Sequence, residues 1–178
     1  MAKLSVVGKA HEAQASGDFT WFIYASSLDR QAFAEWTAQH NYALPDFAGA
    51  FPARLSGFRL AFDVESRFWG GAVASLTEDA QGSVEGLALP LPGSSRALVE
   101  HKEGAISGLY MPFDVQITPV AGGNPVNALA FRASPDRRLP KDAPPSRRFV
   151  ETLIRGAANA GLSAQYVEGL KKLLAQAR

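Results

Sequence analysis

Glu103 stands between Lys102 and Gly104 in the segment LVEHKEGAISGLY (98–110), just ahead of residues whose apolar members alternate like a β-strand. A carboxylate there can move protons as a general base and then a general acid, or it can be a solvated turn charge. The chain has 17 acidic residues, so a count does not choose between the two. Residue types narrow the other chemistries. There is no cysteine, which removes disulfides, thiol nucleophiles and thiolate metal sites. The three histidines, His11, His40 and His101, lie far apart without the i, i+4 spacing of a helical ligand pair, so no metal is expected. No phosphate loop, GxGxxG or GxSxG elbow is present, and no cofactor is expected. A second polar cluster, Tyr24-Ala25-Ser26-Ser27-Leu28, directly follows an apolar strand and reads at least as a serine helix cap.

Elements that would position these residues follow from periodicity. In FTWFIYASSL both alternating sets are largely apolar, as in a strand buried on two faces. Ser26 and Ser27 then cap a short helix carrying Phe33 and Trp36. Further strands are predicted at 58–64, 70–76, 84–91, 109–120 and 127–133. In the fourth of these, Leu109, Met111, Phe113, Val115 and Ile117 share one face, with Tyr110, Asp114 and Gln116 on the other. Pro145-Ser146 opens a helix with Val150, Leu153, Ile154 and Ala157 inward. Gly161 stops it, and Ser163 caps a second helix bearing Tyr166, Leu170, Leu173 and Leu174. Short strands followed by a helical hairpin predict an α+β fold with a mostly antiparallel, possibly closed sheet.

At 178 residues the chain suits one domain, read here as residues 18–178 behind a small, polar extension at 1–17. Hydrophobic content of 47% and a formal net charge of +1 point to a globular protein with small-molecule partners, neither nucleic acid nor a membrane surface. The basic cluster Arg137, Arg138, Lys141, Arg147 and Arg148 is interspersed with Pro and Asp and reads as solvated surface. No apolar run matches a signal peptide or a membrane span, so a cytoplasmic location is expected. A monomer and a homodimer both remain open.

Four segments in order, YASSL (24–28), FWGGAVASL (68–76), LVEHKEGAISGLY (98–110) and PSRRFVETLIRGAANAGLSAQYVEGL (145–170), resemble the γ-glutamylcyclotransferase family, with its AIG2-like fold. That family has a Tyr-Gly-Ser-Asn-Leu loop after a strand and a Gly-Gly-x-Ala-Thr-like stretch. It then has a Glu-Gly pair before Ser-Gly-x-Tyr, and a Pro-Ser-x-x-Tyr helix start. The resemblance spans about Asp18 to Leu174. It implies a small mixed β-barrel with flanking helices. It also implies an enzyme that cyclises a γ-glutamyl amide to 5-oxoproline and releases a free amine.

In such a reaction the substrate's own α-amino nitrogen attacks its γ-carbonyl, so the protein need supply no nucleophile. By resemblance Glu103 is the proton shuttle, with a pKa raised by partial burial. The loop Tyr24, Ala25, Ser26, Ser27 and Leu28 would hold the γ-glutamyl unit through backbone N–H groups, and Tyr110 would stand in the pocket wall. Glu100 and Glu85 match no catalytic position. Ala25 replaces a glycine, Ser27 an asparagine, Val99 a frequent aspartate and Phe149 a frequent tyrosine. Two other readings stand beside this one: a non-catalytic small-molecule binder of the same fold, and an enzyme that removes a γ-glutamyl protecting group from a biosynthetic intermediate.

Overall fold

Strand β1 (Phe19–Ile23) buries Trp21, Phe22 and Ile23, residues of both its faces, which explains why both are apolar. The computed structural model describes residues 17–178, so the expected extension lies outside the described residues except for Gly17. The remaining strands are β2 (Phe51–Ser66), β3 (Gly71–Leu91), β4 (Tyr110–Pro119) and β5 (Val126–Ala133). They close a barrel in the order β1-β3-β2-β4-β5. All pairings are antiparallel except β1 with β5, which meet in parallel at Trp21 and Leu129. The fold is thus the α+β, mostly antiparallel mixed barrel expected, with flanking helices.

Several local expectations are corrected. The segments 70–76 and 84–91 are two halves of one 21-residue strand, β3. Its polar middle, TEDAQGS, runs with β2 outside the core, which broke the apolar pattern. β2 begins at Phe51, seven residues before 58, behind the uninformative run PARLSG. On β4, Val115 and Ile117 are buried as expected, but Met111 is 39% exposed while Tyr110 is only 9% exposed. The alternation therefore fails at the start of the strand, where the Tyr110 hydroxyl donates to the Ala74 carbonyl at 2.7 Å.

Helix α1 (Arg30–Gln39) is capped by Asp29, not by Ser26 or Ser27. The Asp29 Oδ1 accepts from the Ala32 N–H at 2.9 Å, and the two serines belong to a 3₁₀ turn, Ser26–Leu28, ahead of it. A carboxylate at a helix start also gains from the helix dipole, so it outcompetes serine there. Helix α2 (Arg96–Lys102) was not foreseen: it has seven residues, and only Leu98 and Val99 are buried. The C-terminal hairpin is present as predicted, except that its second helix stops at Lys171: Leu173 and Leu174 fall in a following 3₁₀ turn, Lys172–Ala175, and are only half-buried. Ser146 accepts from Phe149 N at the start of α3 (Arg147–Asn159), Gly161 takes φ +76, and Ser163 accepts from Tyr166 N to start α4 (Ala164–Lys171).

The core is aromatic. Trp21 and Phe33 meet edge to face at 5.7 Å, and Phe62 meets Phe149 at 6.4 Å, tying α1 and α3 to the barrel. Each such ring stabilises the fold by about 1.5–3 kcal/mol on burial. An irregularity in β2 between Ala61 and Val64 turns two carbonyls away from β3: Phe62 accepts from Ala143 N at 2.8 Å and Asp63 from Leu139 N at 2.6 Å. Those bonds lead the chain toward α3. Within the basic cluster, Arg138 is structural, donating to the Leu76 carbonyl at 2.6 Å and to Thr77 at 2.9 Å.

Candidate functional site

The end of β1, the end of β2, the starts of β3 and β4, and the end of α2 converge at one end of the barrel around a pocket of about 320 Å³. Tyr24, Ala25, Ser26, Ser27, Glu103 and Tyr110 all line it. Leu28 does not: it is 1% exposed and packs in the core beneath the loop.

Glu103 is held by the way α2 ends. It is the residue that closes the helix, and Gly104 follows at φ +71. The Gly104 N–H donates to the His101 carbonyl at 3.1 Å, and the Ala105 N–H to the Glu100 carbonyl at 2.9 Å. This paired pattern is the Schellman cap, which requires a left-handed residue after the last helical one. The Glu-Gly pair thus has a structural cause: the glycine turns the chain and leaves the carboxylate facing the pocket. Glu103 keeps some exposure through that opening. Burial pushes its carboxyl up from the ordinary 4.5 to about 7, with the neighbouring Lys102 charge partly opposing.

Across the pocket, the 3₁₀ turn is tied to α3 rather than left as a free loop. The Leu28 N–H donates to Ala25 O at 2.9 Å and Asp29 N–H to Ser26 O at 3.1 Å. The N–H groups of Ser26 and Ser27, at the start of the turn, have no acceptor within it, as at any helix start. They are the donors available to an anion or a developing oxyanion in the pocket. Ala25 sits at φ −124, outside the left-handed region, so replacing a glycine by alanine there costs no backbone strain. Arg155 pairs with the Asp29 carboxylate and fixes the turn from behind.

Both tyrosine hydroxyls are already engaged. Tyr24 donates to the Phe131 carbonyl at 2.5 Å and Tyr110 to that of Ala74 at 2.7 Å. Burial first, then neighbouring acidic groups including Glu103, push both hydroxyls well above their usual range, so they remain neutral wall elements. Phe149 also lines the pocket.

Among the pocket residues that sequence reasoning did not assign to the site are Arg67, Lys102 and Trp69. The adjacency of Lys102 to Glu103 was the one signal for the lysine; Arg67 and Trp69 lie in the β2–β3 turn, where no periodicity applies. A second chamber of about 650 Å³ adjoins the first, sharing Ser26, Ser66, Trp69 and Lys102 and adding Trp36, Arg148 and Arg155. Beside it His40 and His101, which had no partner in the sequence, gather on Trp36: His40 stacks at 4.2 Å and His101 meets the ring edge-on at 5.2 Å. Among the described residues no group of three His, Asp or Glu side chains is arranged to hold a metal ion. No helix among them is long and apolar enough to cross a membrane.

Residues 83–170 match the model of the AIG2-like family. The chain is 24% identical over 169 residues to a mouse gamma-glutamylcyclotransferase, covering 93% of this chain and 84% of that protein. It is 25% identical over 159 residues to the human gamma-glutamylcyclotransferase, covering 87% and 78%. Its fold superposes on a solved gamma-glutamyl cyclotransferase with a TM-score of 0.72 at 23% identity, over 86% of each chain. With YkqA from Bacillus subtilis the TM-score is 0.74 at 25% identity, over 92% of this chain and 56% of the other.

Proposed function

The chain belongs to the γ-glutamylcyclotransferase family, with its AIG2-like fold, and from that premise we propose that it cyclises a γ-glutamyl amide to 5-oxoproline with release of the amine. The observation that carries the proposal is Glu103, a partly buried carboxyl raised to about 7 facing the Ser26–Ser27 turn across a small pocket.

The chemistry follows from that pairing. A substrate α-ammonium has a pKa of roughly 8, so a carboxylate of pKa near 7 is closely matched to take its proton. The freed amine attacks the γ-carbonyl carbon, forming the ring C–N bond and moving the carbonyl pair onto oxygen. The Ser26 and Ser27 N–H groups stabilise that oxyanion. Glu103, now protonated, gives its proton to the departing nitrogen as the oxyanion collapses and the original C–N bond breaks. The ring nitrogen, which the attack leaves with two hydrogens and a positive charge, gives its extra proton by way of Glu103 to the released amine, so 5-oxoproline and an ammonium leave and Glu103 returns as carboxylate. The substrate's α-carboxylate would meet Arg67, which lines the pocket and has no hydrogen bond or ion pair among the described residues.

The partner in this reading is a small γ-glutamyl compound. Incubation with γ-glutamyl amino acids and amines, with 5-oxoproline as the readout, tests it. Product from wild type and its loss in Glu103→Gln support the proposal; no product from any of them favours the binding-only reading, and product from large amines alone favours deprotection of a biosynthetic intermediate.

A further inference from the structure

A separate cavity of about 650 Å³ opens between α4 and the β2–β3 ribbon, and it shares no lining residue with the Glu103 pocket or the chamber beside it. Its volume suits a small-molecule site. Between it and the reaction pocket stand two rings 6.4 Å apart, Phe62, which lines the cavity, and Phe149, which lines the pocket.

Leu60, Phe62, Leu170 and Leu173 give the cavity an apolar wall. Gly169 of α4 opens it further: a Cβ there would meet nothing within 4 Å, so no neighbouring group fills this part of the helix face. The charges of the lining do not balance. Arg54 is matched inside the cavity by Glu85 at 2.9 Å, and the Glu85 oxygens also accept from the backbone N–H and hydroxyl of Ser163. Arg59 has no such match: its acidic partner, Asp142 at 3.1 Å, is not a lining residue. Only Nη1 of the Arg59 guanidinium is engaged, by Asp142 and the Leu60 carbonyl, which leaves the rest of its fork for a carboxylate. The lining thus holds two guanidinium charges against one carboxylate. The Tyr166 hydroxyl, near enough to Glu85 to feel its charge, is buried with no hydrogen-bond partner among the described residues. A buried donor without an acceptor is costly, and a ligand that brings one relieves that cost.

We propose that this cavity is a second binding site, for a small carboxylic acid with an apolar body. The body lies on Leu60, Phe62, Leu170 and Leu173, and the carboxylate meets Arg59. The site does not depend on the cyclotransferase reading.

Octanoate and octanamide share such a body and differ in charge. Titrating each into isotope-labelled protein, with backbone amide NMR shifts as the readout, gives both the place of binding and the dissociation constant. Octanoate is expected to bind wild type with a Kd below about 1 mM and to shift the amides of Leu60, Gly169, Leu170 and Leu173. It should bind roughly fivefold or more tightly than octanamide, the size of one charge-assisted hydrogen bond. Arg59→Met, which removes only an exposed ion pair from the fold, is expected to abolish most of that preference. Gly169→Leu, which grows a side chain into open space, is expected to weaken octanoate by about tenfold or more. Absence of shifts at millimolar octanoate, equal affinity for acid and amide, a preference unchanged in Arg59→Met, or an affinity unchanged in Gly169→Leu overturns the proposal. Shifts confined to Ala25, Ser26 and Glu103 overturn it too, by placing the acid in the reaction pocket. So does a concentration-dependent dimer in sedimentation that Gly169→Leu abolishes, which would mean that a second copy of the chain covers the cavity.

Discussion

Gly156 on α3 lies so close to Asp29 that a Cβ at position 156 would sit 2.4 Å from the Asp29 backbone nitrogen. With the Arg155–Asp29 ion pair beside it, this contact makes α3 the support of the Ser26–Leu28 turn. The obstructing atom is backbone, which cannot swing away as a flexible side chain would.

Gly156→Ala is therefore expected to destabilise the protein by about 1–3 kcal/mol in urea unfolding and to lower turnover by displacing the turn. Gly169→Ala is the contrast. A Cβ on Gly169 of α4 meets nothing within 4 Å, so that change should stabilise by roughly 0.5–1 kcal/mol.

At the opposite wall, Gly104→Ala places an L-residue at φ +71 and a Cβ 3.3 Å from that of Leu109. About 1 kcal/mol of stability should be lost. Turnover should fall further than that cost implies, because the cap that aims Glu103 relaxes; comparing the change in kcat with the change in urea midpoint checks this.

These two supports differ in how far the sequence revealed them. The polar turn after β1, the Glu-Gly pair and the Pro-Ser helix start are local, and each was readable from residue types and order. The role of Gly156 arises from a contact 127 positions away, and glycine in a helix carries no sign of what approaches it. Helix α2 was hidden because two buried residues, Leu98 and Val99, make no period. Arg67 and Trp69 were missed for a related reason, since the pocket takes them from the β2–β3 turn. The barrel was legible in class but not in its strand bounds, because the distal part of the β2–β3 ribbon is polar and lies outside the core.

Glu103 sets a pH dependence of both rate and stability. In the proposed reaction it is the base and must be ionised, so kcat/KM should rise through about pH 7 and be lost below it. For stability the sign is opposite. The folded protein keeps the Glu103 proton between 4.5 and about 7 while the unfolded chain has released it, so this group's stabilising contribution is lost as pH rises through that window. Thermal melts of Glu103→Gln should lack this fall and give a higher Tm than wild type at pH 8.

Glu85 is the structural counterpart, a carboxylate 4% exposed that is not among the residues lining the Glu103 pocket. It accepts from Arg54 at 2.9 Å, Ser163 N at 2.8 Å and Ser163 Oγ at 2.9 Å, joining β3 to the start of α4. Burial alone would raise its pKa, but these donors outweigh it and hold the group below its ordinary value. Its contribution is present at neutral pH and is lost as pH falls through the folded-state pKa. Glu85→Gln should cost about 1–3 kcal/mol in urea unfolding at pH 7, less at low pH, with turnover maintained.

The most direct test of the central claim is release of 5-oxoproline from γ-glutamyl-alanine by wild type and by Glu103→Gln at pH 8. Wild type should form it, and the variant should be slower by about 10²- to 10⁴-fold while remaining folded. A Glu103→Gln protein as fast as wild type would contradict the account.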